Sequence, residues 1–151
     1  MTVSIRIQAE PFDVAAETAS LTEGRADIGA VVAFTGLCRD EGGRLTALEL
    51  EHYPGMAEAE IARIAAQARE RWPLLGLTII HRFGKIRPGD QIVLVLAASS
   101  HRRAAFEAAD FLMDYLKTRA PFWKREHLQD GTAGAWVEAK DQDDEAVQRW
   151  L

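Results

Sequence analysis

Between Ser99 and Pro121, the apolar residues Ala104, Ala105, Ala108, Phe111, Leu112, Tyr115 and Leu116 recur at the spacing of one helix face. This predicts a long amphipathic helix from about His101 to Arg119, with Ser99 or Ser100 as its cap and Pro121 as its stop. A stripe of that kind needs a second layer to cover it. Residues 56–72 repeat the pattern with Met56, Ala59, Ile61, Ile64, Ala65 and Ala68, which gives a second long helix ending near Pro73 and Gly76.

The segments around these helices have strand character. VSIRIQ and LTALELEHY alternate apolar and polar residues, while LTIIHRF and QIVLVLAA are rich in β-branched and apolar side chains. IGAVVAFTG is nearly continuously apolar and reads as a strand buried on both faces. Asp13 is placed to cap a short helix from Val14 to about Leu21. The strand pairs within 31–53 and 77–98 have short connections, and a parallel crossover needs about a dozen residues or more. Antiparallel pairing is therefore expected in both, with the first pair forming a hairpin. A short extended piece at PFWKREH, a strand near AWVEA and an acidic final helix complete the chain. The class is α+β: two long helices packed on a mostly antiparallel sheet, in a single domain spanning 1–151.

Bulk properties exclude several roles. The longest apolar runs fall short of the ~18 residues a membrane helix needs, and MTVSIRIQAEPFD lacks the pattern of a signal peptide. Cys38 is the only cysteine, so neither an internal disulfide nor a cysteine-rich zinc site is available, which fits the cytoplasm. A net charge of −5 argues against non-specific nucleic-acid binding. The charge is unevenly spread, however: basic residues cluster at 101–103 and 117–125, and the tail after 138 is acidic. That asymmetry suggests a local anion site on an acidic protein.

The stretch Ser99-Ser100-His101-Arg102-Arg103 opens the predicted helix. Cations in a first turn oppose the helix dipole by roughly 0.3–1 kcal/mol each, so their presence needs a reason. A phosphate held by the backbone N–H groups and by Arg102 and Arg103 is one; pairing of the arginines with carboxylates on a neighbouring strand is the other. Lys117 falls in the last turn, where the dipole already favours a cation. Lys124 follows Pro121, Phe122 and Trp123, and reads either as a catalytic amine or as a stem covering the rings. Arg39 follows a strand beside a Gly-Gly loop and is either a solvated residue or an anion contact. Cys38 is either an activated thiolate or a small buried residue. His52 and His81 lie near strand ends with no metal-ligand spacing, and read as hydrogen-bonded structural histidines. No metal site or phosphate loop appears.

Taken together, Glu51-His52-Tyr53-Pro54-Gly55-Met56, His81-Arg82, Pro88-Gly89-Asp90, Ser100-His101-Arg102, Ala105-Phe106-Glu107-Ala108 and the run from Asp114 to Glu126 form a recognisable set. The chain resembles the large, catalytic subunits of the molybdopterin synthase family over about residues 28–139. The resemblance implies a sulfurtransferase that converts cyclic pyranopterin monophosphate into molybdopterin by building a dithiolene. It implies a partner, a small ubiquitin-like sulfur carrier ending in a Gly-Gly thiocarboxylate, and a homodimer of this chain within a heterotetramer. It also implies a hammerhead-like fold with a smaller β subdomain, and no cofactor. Carried onto this sequence, the catalytic lysines are Lys117 and Lys124, and the substrate-binding residues are Arg39, His101, Arg102 and Arg103. The chain ends Arg149-Trp150-Leu151 and so is not itself the Gly-Gly carrier. Two readings from other classes remain: a phosphate- or nucleotide-binding module, and a structural partner that docks a ubiquitin-like tail.

Overall fold

The longest buried stripe of the chain sits on the helix Arg102–Thr118, and the rest of the fold is arranged to cover it. In the computed structural model, which describes residues 1–40, 42–137 and 141–151, the elements are, in order, β1 (Thr2–Gln8), α1 (Val14–Thr22), β2 (Ala30–Leu37), β3 (Leu45–His52), α2 (Met56–Arg71), β4 (Leu74–Arg82), β5 (Gly84–Ile86), β6 (Gln91–Ser99), α3 (Arg102–Thr118), β7 (Phe122–Leu128) and α4 (Asp141–Gln148). This is a mixed α+β fold. The described strands form a four-stranded sheet in the order β1-β4-β6-β2 and a three-stranded sheet in the order β5-β3-β7.

β4 and β6 take the centre of the larger sheet and are buried along most of their length, as their unbroken apolar runs require. They pair antiparallel, Ile79 opposite Val95, as their short connection demands. β1 joins β4 in parallel, which the long intervening chain permits. On one face, Leu77, Ile79, Val95 and Ala97 meet Ile61 and Ile64 of α2 and Phe111 and Leu112 of α3. Burying a side chain such as Phe111 or Leu112 stabilises the fold by about 1.5–3 kcal/mol. On the other face, Ile80, Leu94 and Leu96 meet Phe12 and Leu21. Asp13 caps α1 as expected, its Oδ1 accepting from the Ala16 N–H at 3.1 Å. α1 approaches so closely that a Cβ on Gly76 would lie 2.6 Å from Leu21 Cδ1.

Three expectations fail. β2 and β3 do not form a hairpin: β2 pairs with β6, whereas β3 pairs with β5 and β7 in the other sheet. The cause is a second small core of Cys38, Leu45, Leu50 and Ile86, which draws the inward face of β3 away from β2. Nor is β2 buried on both faces; it is an edge strand that exposes Phe34 and Leu37, because β4 and β6 fill the centre. The serine cap of α3 is also absent. His101 occupies the cap position without a side-chain bond, and the Ser99 hydroxyl donates to the Pro73 carbonyl at 2.8 Å. Of the strand anticipated near AWVEA, Val137 forms an isolated bridge to Lys124, and residues 138–140 lie outside the described residues.

Candidate functional site

Where α3 ends, its last turn, the edge strand β2 and the small sheet enclose a cavity of about 600 Å³. Pro121 stops the helix, and Phe122 N–H bonds the Ala120 carbonyl at 2.8 Å as the chain turns into β7. Alternation along β7 then matters. Lys124 pairs in register with Leu50, whose buried side chain faces inward, so Lys124 lines the cavity beside it. Reciprocal backbone bonds between Lys124 and Val137, at 3.0 and 2.8 Å, hold this position from the other side. Lys117 reaches the same cavity from the last turn of α3, and Arg39 reaches it from the segment after β2.

Three candidate residues from two distant parts of the sequence, Arg39 on one side and Lys117 and Lys124 on the other, thus converge. The floor and walls are largely apolar, with Met113 and Leu116 of α3 and Ile92 and Val93 of β6 among them. No carboxylate side chain belongs to the described lining. Cations gathered at a largely apolar cavity suit an anionic ligand. A second cavity of about 560 Å³ adjoins the first and shares Arg39 and Lys124 with it. Its other lining includes Arg44, Asp40 and Glu126, so the carboxylates lie on that side.

His101, Arg102 and Arg103 are not part of either cavity. All three are exposed at the start of α3. Lys117 lies fifteen positions after Arg102 along the helix, a span of ~22 Å. Arg103 has its Glu107 partner at 3.6 Å on its own helix, not on a neighbouring strand, and its side chain is 87% exposed. Within one copy of the chain, the structure therefore separates the two groups of candidate residues.

Cys38 is buried, and burial pushes its thiol up from the ordinary value, so the reading as a small buried residue holds over the activated thiolate. Among the described residues, no three His, Cys, Asp or Glu side chains group as a metal would need.

Sequence reasoning missed His81 as a cavity residue. Its ring stacks on Phe122 with centroids 3.8 Å apart and planes at 17°, while His52 packs against Phe122 at 5.8 Å. Burial pushes the His81 imidazole down to about 4, with the nearby His52 adding to the effect, so it is neutral at physiological pH. Phe34, Leu48 and Met113 were missed as well; apolar residues that line a cavity carry the same sequence pattern as those that fill a core.

Comparison with known proteins adds an independent line. A family model described as MoaE protein matches residues 7–119. A molybdopterin synthase catalytic subunit from Mesorhizobium japonicum is 74% identical over 147 residues, covering 97% of this chain and 92% of the relative. A structure of the molybdopterin biosynthesis MoaE protein from Burkholderia ambifaria superposes with a TM-score of 0.85 at 49% identity, covering 99% of this chain and 98% of that one. The crystal structure of molybdopterin synthase from Staphylococcus aureus superposes with a TM-score of 0.77 at 33% identity, covering 87% and 94% of the two chains.

Proposed function

The chain belongs to the MoaE protein family, an enzyme family of molybdenum cofactor biosynthesis, and from that premise we propose the reaction its cavity serves. The substrate is cyclic pyranopterin monophosphate, the product is molybdopterin, and each sulfur of the new dithiolene comes from the C-terminal thiocarboxylate of a small ubiquitin-like carrier. The observation that carries this reading is the convergence of Arg39, Lys117 and Lys124 on one cavity whose described lining holds no carboxylate.

The chemistry asks for such a place. Sulfur attack on the pterin side chain needs protons moved and leaves an acyl group that water must release as the carrier's carboxylate. Lys117 does the acid–base or nucleophilic work, and Lys124 holds developing negative charge and assists. Arg39, which lines the same cavity, binds the anionic substrate. Because two sulfurs are added, the intermediate stays bound while carriers exchange, which several phosphate contacts favour.

His101, Arg102 and Arg103 supply the remaining phosphate contacts. At ~22 Å from Lys117 along one helix, they cannot reach the same pterin from the same copy. They come instead from a second copy, so the chain acts as a homodimer, and two carriers complete a heterotetramer. The small sheet β5-β3-β7 is the smaller β subdomain of the hammerhead-like arrangement, and one domain covers 1–151. Among the described residues no helix is long and apolar enough to cross a membrane. The lone cysteine suits a reducing compartment, and we place the reaction in the cytoplasm.

The test is conversion of the pterin precursor by purified chain with a thiocarboxylated carrier, comparing wild type with Lys117→Ala. Product from wild type and none from a folded, carrier-bound variant supports the reading. No product from wild type with its cognate carrier contradicts the activity. Equal activity of both proteins contradicts the role of Lys117.

A further inference from the structure

The polar side chains that line the main cavity are unevenly divided between donors and acceptors. Arg39, Lys117 and Lys124 are donors only, and so is the indole of Trp123. Acceptors are limited to the Thr35 hydroxyl and the His81 ring. His81 is only 9% exposed, yet its ring borders the cavity.

Its tautomer follows from one contact. His81 Nδ1 lies 2.8 Å from the Arg82 carbonyl oxygen, and a carbonyl can only accept, so Nδ1 carries the proton. The Nε2 atom then holds a lone pair. Nδ1 to Arg82 is the hydrogen bond His81 makes among the described residues, which leaves Nε2 without a protein partner. Among the described residues, the sealed side-chain atoms without a partner are Arg6 Nε and Arg125 Nε, so the Nε2 lone pair is open to a ligand or water rather than shut inside the fold. The stack on Phe122 fixes the ring plane, so Nε2 has little freedom to seek a partner elsewhere. The imidazole is neutral at physiological pH, because burial holds its protonation down to about 4.

We propose that His81 is a substrate-binding residue of this cavity, its Nε2 accepting a hydrogen bond from an N–H group on the pterin ring. This rests on the functional reading above and deepens it. A phosphate offers only acceptors at neutral pH and belongs with Arg39 and with His101, Arg102 and Arg103 of the second copy. A pterin ring presents amide and amino N–H donors, which those cations cannot satisfy. His81 answers that second requirement and, being neutral, adds no charge to a cavity that already holds three cations. It thereby selects an N–H-bearing heterocycle over a phosphate attached to a purely accepting ring.

The experiment measures binding of the pterin precursor to the full-length protein, without carrier, for wild type, His81→Phe and His81→Gln. Phe keeps the ring volume and the stack but has no acceptor; Gln places an amide oxygen near the position of Nε2. Phe is expected to weaken pterin binding by about 10- to 100-fold, and Gln to restore most of it, with carrier affinity unchanged in both. Wild-type affinity in His81→Phe overturns the inference, as does a Gln variant as weak as Phe. Imidazole nitrogen NMR on the unsubstituted protein covers the case of a variant that fails to fold. There, the Nε2 resonance should be that of an unprotonated nitrogen and should move when pterin is added; an unmoved resonance overturns the inference. Failure of wild type to bind the precursor at all is a different result, and overturns the functional reading together with this one.

Discussion

Helix α3 carries basic residues at both ends, and the two ends are built differently. At its start, His101, Arg102 and Arg103 stand exposed, no acidic residue occupies the first turn, and the cap position makes no side-chain bond. At its end, Lys117 sits where the dipole favours a cation, beside a cavity with Lys124, Arg39 and a buried histidine. The first arrangement is unfavourable for the isolated fold, whereas the second is favourable. A set of cations that weakens its own helix points to a ligand, while a set that suits its helix points to one only through the cavity it shares. The inference from local electrostatics is therefore stronger at the start of the helix, and the inference from geometry is stronger at its end.

The sharpest way to break this contrast is at Lys117. Lys117→Ala should lower the conversion rate by about 10²- to 10⁴-fold with the substrate affinity little changed, read by single-turnover kinetics. A loss confined to affinity would make the two ends alike. The next effect concerns His81, the buried titratable group that only the cavity end possesses. Its folded value, about 4, lies below the ordinary 6.5. Between those values the unfolded chain binds more protons than the folded one, so stability falls as pH falls through that window and levels off below it. The slope should be at most about 1.4 kcal/mol per pH unit, and His81→Gln should flatten it in denaturant melts taken across the window.

At the other end, Arg102→Ala should raise the KM for the phosphorylated substrate by roughly 10-fold, leave kcat nearly unchanged, and reduce the salt dependence of binding. Smallest of all, the same substitution should stabilise the free protein by about 0.3–1 kcal/mol at low salt, whereas Lys117→Ala should destabilise it by a similar amount. Opposite signs in thermal melts of these two variants would establish the electrostatic asymmetry without any assay of function. Equal signs would remove it.

How much of this was legible beforehand depended on the range of the interaction involved. The stripe from Ala104 to Leu116 placed α3 correctly because helix periodicity is local, and Asp13 announced its cap for the same reason. The partners of β2 and β3 were not legible. Loop length permits a hairpin, and only the separate core around Leu50 and Ile86 forbids it. Ser99 had the right position for a cap, but its hydroxyl is taken by Pro73, a contact across 26 residues of sequence. The cavity shows the same limit. Lys117 and Lys124 were singled out by resemblance to a family, since spacing alone could not separate catalysis from a favoured cation or a covering stem. His81 looked like an ordinary strand histidine, because alternation along β4 says which face a side chain takes and not whether that face borders core or cavity.

The central claim is that the two ends of α3 serve one substrate from two copies of the chain, and it is tested most directly by mixing two proteins impaired at opposite ends of the helix. Lys117→Ala and Arg102→Ala subunits, dissociated and reassembled together, would give hybrid dimers in which one site has Lys117 and Arg102 both intact. The expected result is that, at limiting substrate, the mixture converts the precursor faster than the average of the two parents measured separately. A mixture that forms hybrid dimers and still gains nothing would contradict it, because the two ends would then not meet in a shared site.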